Sequence, residues 1–127
     1  MIVDVSKKIL IVGLGLLGGS YAKVLKRFGF LSQMTHCIAV TLMTCSDKED
    51  MEKFTGDSFR DLTRIARIND LMWSELFVAN KDILLARMDL FMNKFSELKT
   101  MLENEDVDGM RKMMRHSTER RALFDRK

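Results

Sequence analysis

The sequence predicts a mainly α-helical fold preceded by a short strand-helix unit, and three observations predict it. The 127 residues contain no proline, where average usage would supply about six, so long helix-compatible stretches run without a residue that removes a backbone donor. Apolar residues recur every seven positions through the second half, Phe77, Leu84, Phe91 and Leu98, with Met88, Phe95 and Leu102 between them. That is the pattern of a packed helical seam. At the other end the apolar run from Ile9 to Leu17 is cut by glycines, which suits a strand, a turn and a helix.

Taken in order, Lys8 to Val12 reads as a buried strand. Gly13, Gly15 and Gly18 then form G-x-G-x-x-G, and Leu17, Tyr21, Val24, Leu25 and Phe28 form the apolar stripe of a helix that Gly29 ends. Glycine at those three places lets the backbone turn tightly and approach a pyrophosphate at the helix N-terminus, so they are candidate contacts to a dinucleotide such as NAD or NADP. The acidic residue expected about 20 positions on, to hold the ribose, does not follow: there is no Asp or Glu between Asp4 and Asp47. One strand-helix unit does not complete a nucleotide cleft. Its strand must pair with another copy, pack on the helices or leave an exposed edge. Lys7 and Lys8, the apolar run and the small residues from Gly18 to Ala22 also have the outline of a signal peptide, but the glycine spacing favours the dinucleotide reading. The run is too short to span a membrane.

Ser32 to Cys45 reads as a buried helix with Met34, Ile38, Leu42 and Met43 inward. Cys37 and Cys45 would lie about 12 Å apart along it, too far to bridge, and read as buried free thiols of a reducing cytoplasm. His36 reads either as a hydrogen-bonded core residue or as a donor to a ligand oxygen. With His116 it makes no zinc spacing. Ser46 to Thr55 is a charged connector with room for a helical turn.

Gly56 to Trp73, G-D-S-F-R-D-L-T-R-I-A-R-I-N-D-L-M-W, is the stretch richest in candidate chemistry. Asp57 is placed to cap a helix, and Phe59, Leu62, Ile65 and Ala66 fall on one side of it. Arg60 and Arg64, four apart, leave the other, where they either face water or grip a carboxylate by paired hydrogen bonds. Trp73 reads as an aromatic anchor in a packing face or as a pocket residue.

Asn69 is a good cap, and from Asp70 to about Glu103 nothing breaks a helix. Such a helix would be about 50 Å long, and with so little chain left to cover its seam a second subunit is the natural partner. Asn104 to Asp106 make a break, and Val107, Met110, Met113 and Met114 begin a last helix ending near Phe124.

Hydrophobic residues at 46% and charged ones at 31% are ordinary for a soluble chain, and the eleven methionines suit adaptable helix packing. A formal charge of +3 does not argue for nucleic acid, and the basic end, residues 107–127, lacks an aromatic platform. It reads as a solvated face. No catalytic triad, paired-carboxylate site, metal cluster or Walker-type phosphate loop is present.

The string F-R-D-L-T-R-I-A, with a tryptophan seven residues after Ala66, resembles the C-terminal domain of the prephenate dehydrogenase family, and the resemblance runs from about Ser32 to the end. G-L-G-L-L-G-G-S resembles the start of the same enzymes. The family oxidatively decarboxylates prephenate to 4-hydroxyphenylpyruvate with NAD or NADP, on the way to tyrosine. The resemblance implies a helical domain, residues 31–127, that dimerises through its helices, after a remnant, residues 1–30, of a Rossmann domain. It implies that Arg64 binds a prephenate-like dicarboxylate, with Arg60, His36 and Trp73 near it. S-Q-M-T-H resembles the family's S-H-L-P-H, with His36 as its second histidine, Gln33 in place of the first and Thr35 in place of proline. Ser58 stands where a second glycine is common. The family's other nucleotide-domain strands and catalytic histidine have no counterpart. The expectation is therefore an internally deleted family member, inactive alone, or a non-catalytic homodimerisation module.

Overall fold

The structure of the protein, a computed structural model, describes residues 31–45 and 47–125. The expected strand-helix unit and Gly13, Gly15 and Gly18 lie outside the described residues, and the expected boundary between residues 1–30 and 31–127 falls at their edge. The described residues are mainly helical, with no strand among them: α1 over 31–44, α2 Met51–Phe54, α3 Asp57–Thr63, α4 Asp70–Ala79, α5 Lys81–Glu103 and α6 Val107–Ala122. Two compact units divide it, Met1–Met88 and Asp89–Lys127.

Among the described residues of the first unit, Ala39 of α1 and Leu84 of α5 are the buried apolar side chains, and the polar Gln33 is buried too, at 8% exposed. Met34, Ile38 and Leu42 are half-buried, whereas Met43, expected inward, is exposed. It lies one turn beyond Ala39, where that face has run out of cover. Cys37 is half-buried and Cys45 exposed, so neither thiol is the fully buried group expected. Cys45 ends the helix with its Sγ against the Leu42 carbonyl. The connector does carry a helical turn, α2.

Helix α3 differs from expectation in its cap and its length. Gly56 is the N-cap, and Asp57 is the first helical residue with no side-chain capping bond, so it acts as a negative charge on the helix N-terminus. The helix ends at Thr63, whose hydroxyl donates to the Phe59 carbonyl at 2.6 Å and whose ψ is 1°. A hydroxyl returned to the preceding turn competes with the regular ladder. Arg64–Ala66 therefore form a 3-10 turn, and Leu62, expected on the packed side, is exposed.

The expected uninterrupted helix from 70 to 103 is two helices. Asn69 caps α4 by accepting from the Met72 N–H at 3.0 Å. At Asn80, φ is −112° and ψ 26°. Its N–H closes α4 on Leu76 while its carbonyl opens α5 by accepting from Leu84. Asparagine suits such a joint because its side chain has an alternative to the helical ladder, here the Gln33 side chain, to which its amide donates at 2.9 Å.

In the second unit the seam is uncovered. Phe91 and Phe95 stack with ring centroids 6.2 Å apart and nearly parallel, yet Phe95 and Leu102 are each 65% exposed. Helix α5 ends in a Schellman motif, with Asp106 N–H bonded to Met101 and Glu105 N–H to Leu102. Asp106 then caps α6, so the expected break at Asn104 to Asp106 holds, and α6 runs on into a 3-10 turn, Leu123–Asp125.

Candidate functional site

The first unit brings together residues more than thirty positions apart in sequence. His36 of α1 stacks on Trp73 of α4 with centroids 3.7 Å apart and planes 23° from parallel. Trp73 leans in turn on Phe77, one helical turn along, at 5.8 Å. Contacts of this kind contribute roughly 0.5–1.5 kcal/mol beyond the area they bury. His36 Nδ1 sits 2.7 Å from the Ser32 carbonyl. A carbonyl only accepts, so Nδ1 carries the proton of the neutral ring and Nε2 is the nitrogen left with a lone pair. The structure therefore presents a fixed imidazole whose remaining nitrogen accepts from a ligand when neutral and donates when protonated.

The two arginines are not brought together as a pair. Arg60 donates to the Glu52 carbonyl at 2.6 Å, tying α3 to α2. Arg64, one residue past the end of α3, is exposed, and its guanidinium makes no hydrogen bond or ion pair among the described residues. It is thus a cation at a turn whose donors meet no partner among the described residues.

Three residues here escaped a reading by periodicity. Gln33 and Asn80 form the side-chain bond described above, and the signal was present: Gln33 precedes His36 by three, and Asn80 follows Trp73 by seven, so each shares a face with one member of the stack. Glu75 on α4 has a buried Oε2 with no hydrogen-bond partner among the described residues, a feature that no pattern in the sequence marks. Burial pushes the Cys37 thiol above its ordinary value, with its own backbone hydrogen bond opposing the shift. No group of three or more His, Cys, Asp or Glu side chains suited to a metal occurs among the described residues, and no helix among them is long and apolar enough to cross a membrane.

Among the described residues, helices with an imidazole-indole stack in one unit and an exposed apolar seam in the other define a class, a helical domain. Residues 26–116 match the family described as the prephenate dehydrogenase dimerization domain. The chain is 28% identical over 85 residues to a prephenate dehydrogenase of Bacillus subtilis (strain 168), covering 63% of this chain and 23% of that protein. It is 33% identical over 87 residues to a prephenate dehydrogenase of Lactococcus lactis subsp. cremoris (strain MG1363), covering 65% and 25%. It is 25% identical over 99 residues to a cyclohexadienyl dehydrogenase of Zymomonas mobilis subsp. mobilis, covering 73% and 34%. The chain belongs to the prephenate dehydrogenase family. It spans about a quarter of the length of the first two relatives.

Proposed function

We propose that this chain is the substrate-holding, dimer-forming helical part of a prephenate dehydrogenase-type oxidoreductase, and that it does not turn substrate over alone. The observation that carries this reading is the His36–Trp73 stack, which joins two residues that the family resemblance places near substrate. Arg64, without a partner among the described residues, takes a carboxylate of a prephenate-like dicarboxylate, and His36 Nε2 accepts from a ligand O–H. Arg60 joins them by exchanging the Glu52 carbonyl for the ligand, and Trp73 walls the pocket. Arginine suits the carboxylate because its planar fork donates two parallel bonds.

Residues 1–30 form the remnant of the dinucleotide domain in this reading, with Gly13, Gly15 and Gly18 facing NAD or NADP, and residues 31–127 form the helical domain. Residues 19–30 alone separate Gly18 from the described start of α1, too few for the further parallel strands that such a cleft needs. Hydride transfer requires cofactor and substrate held in register, so the reading is of an internally shortened family member, acting in the cytoplasm, where free thiols persist.

A second reading, a homodimerisation module without catalysis, is favoured by the exposed seam of Phe91, Phe95 and Leu102. Calorimetry of the purified chain with prephenate separates the two. Binding that Arg64→Ala abolishes, without reduction of added NAD or NADP, supports the first. No heat at millimolar prephenate leaves the dimerisation module.

A further inference from the structure

Two contacts cross from α1 to the α4–α5 joint in reversed order. His36, later on α1, meets Trp73, earlier on α4, and Gln33, one turn earlier, meets Asn80, seven residues later. Reversed order means that the two segments run antiparallel, with Phe77 between the two contacts on the α4 face. Gln33 and His36 are neighbours on one helix face, as are Trp73, Phe77 and Asn80 on the other.

Gln33 is the buried polar side chain of the described core, at 8% exposed, and its Oε1 accepts from Asn80 Nδ2 at 2.9 Å. A buried amide is held where its partner is, because leaving it unpaired costs more than the bond returns when made. The stack has no such restraint of its own: two flat rings slide over one another with little change in energy, and the His36–Ser32 bond lies within α1 and cannot fix α1 against α4. The geometry points to Gln33 and Asn80 as a positioning pair, a latch that sets the register of α1 on α4 and so holds the His36 ring over Trp73 with Nε2 in one direction. Asn80 serves both halves of this arrangement. The residue that interrupts the helix also frees its amide to reach Gln33, and an uninterrupted turn with an apolar residue at that position would leave the Gln33 oxygen buried without a donor.

The ligand consequence rests on the function proposed above, whereas the latch itself does not. The chain has a single tryptophan, so near-ultraviolet circular dichroism and Trp emission report the packing of Trp73 without ligand. Gln33→Leu and Asn80→Ala are each compared with His36→Ala, which removes the stack outright. Both latch variants are expected to keep the far-ultraviolet helical signal and to lose the near-ultraviolet band down to the His36→Ala level. The exchanged pair, Gln33→Asn with Asn80→Gln, keeps donor, acceptor and total reach and is expected to recover the band. In a prephenate titration, Gln33→Leu is expected to weaken binding as much as His36→Ala, with no further loss in the double variant, since the two act through one ring. Wild-type near-ultraviolet signal in both single variants, or no recovery in the exchanged pair, overturns the latch. Helical signal lost in the single variants and regained in the exchanged pair supports it; lost in all three, it overturns it. Absence of prephenate binding in the wild type removes the proposed function and leaves the latch to be decided by the spectra.

Discussion

The Asp106 carboxylate caps α6 by accepting from the Gly109 N–H at 2.9 Å, and it sits so close over that residue that a Cβ there would meet Asp106 Cγ at 2.8 Å. An ordinary Gly→Ala change in a helix gains up to about 1 kcal/mol, while losing an Asp cap costs about 1 kcal/mol. The two effects cancel at this site. Gly109→Ala is therefore expected to leave the melting temperature nearly unchanged, Asp106→Ala to lower it, and Gly109→Ala made on top of Asp106→Ala to raise it again. Additive behaviour in that thermal-unfolding cycle would exclude the clash.

Glu105 occupies the left-handed position of the Schellman motif, with φ at 52°, where a Cβ is strained and glycine is free. The strain is about 1–2 kcal/mol, and the flexibility that glycine adds to the unfolded chain returns roughly 0.4–1 kcal/mol of it. Glu105→Gly should stabilise the chain by up to about 1.5 kcal/mol, measured as the shift in urea midpoint at constant slope.

Thiol chemistry should separate the two cysteines. Cys45 is exposed and Cys37 half-buried with a raised pKa, so a neutral thiol reagent should modify Cys45 first and Cys37 slowly. A raised folded value means that the folded state keeps its proton after the unfolded state has lost it. The stability associated with Cys37 is thus whole below the ordinary thiol value and declines as pH rises through the folded one. Cys37→Ala should flatten the alkaline fall in stability, read from chemical denaturation across that range.

The seam of α5 makes the sharpest contrast. Phe95 is 65% exposed, and a polar change at a truly solvent-facing site alters stability by about 0.5 kcal/mol or less. Where a second copy covers the seam, Phe95→Glu is expected to convert dimer to monomer in sedimentation at micromolar concentration. Lys94→Ala, which breaks only the exposed ion pair with Glu97, should not, since such pairs contribute about 0–1 kcal/mol.

The family was legible in F-R-D-L-T-R-I-A and the spaced Trp73, and the helical fold in the absence of proline and the heptads. Caps at Asn69 and the break at Asn104 to Asp106 were legible too, because a cap is a local exchange between a side chain and the next few N–H groups. The early ends of helices were not. Thr63 and Asn80 are tolerated in many helices, and whether they end one depends on where their side chains find a partner. Thr63 finds it in Phe59, within reach of a local rule. Asn80 finds it in Gln33, 47 residues away.

The sequence by itself determined that residues 31–125 are mainly helical, that Asn69 caps a helix, that a break falls at Asn104 to Asp106 and which family the chain belongs to, since each follows from neighbours a turn apart or from matching strings. Tertiary structure alone decided that His36 lies flat on Trp73, that Gln33 rather than Met43 is buried, and that among the described residues Arg60 has a partner while Arg64 has none. Those outcomes depend on which helix faces meet, and a face is chosen by packing between elements far apart in the chain, which a one-dimensional pattern constrains only to a stripe.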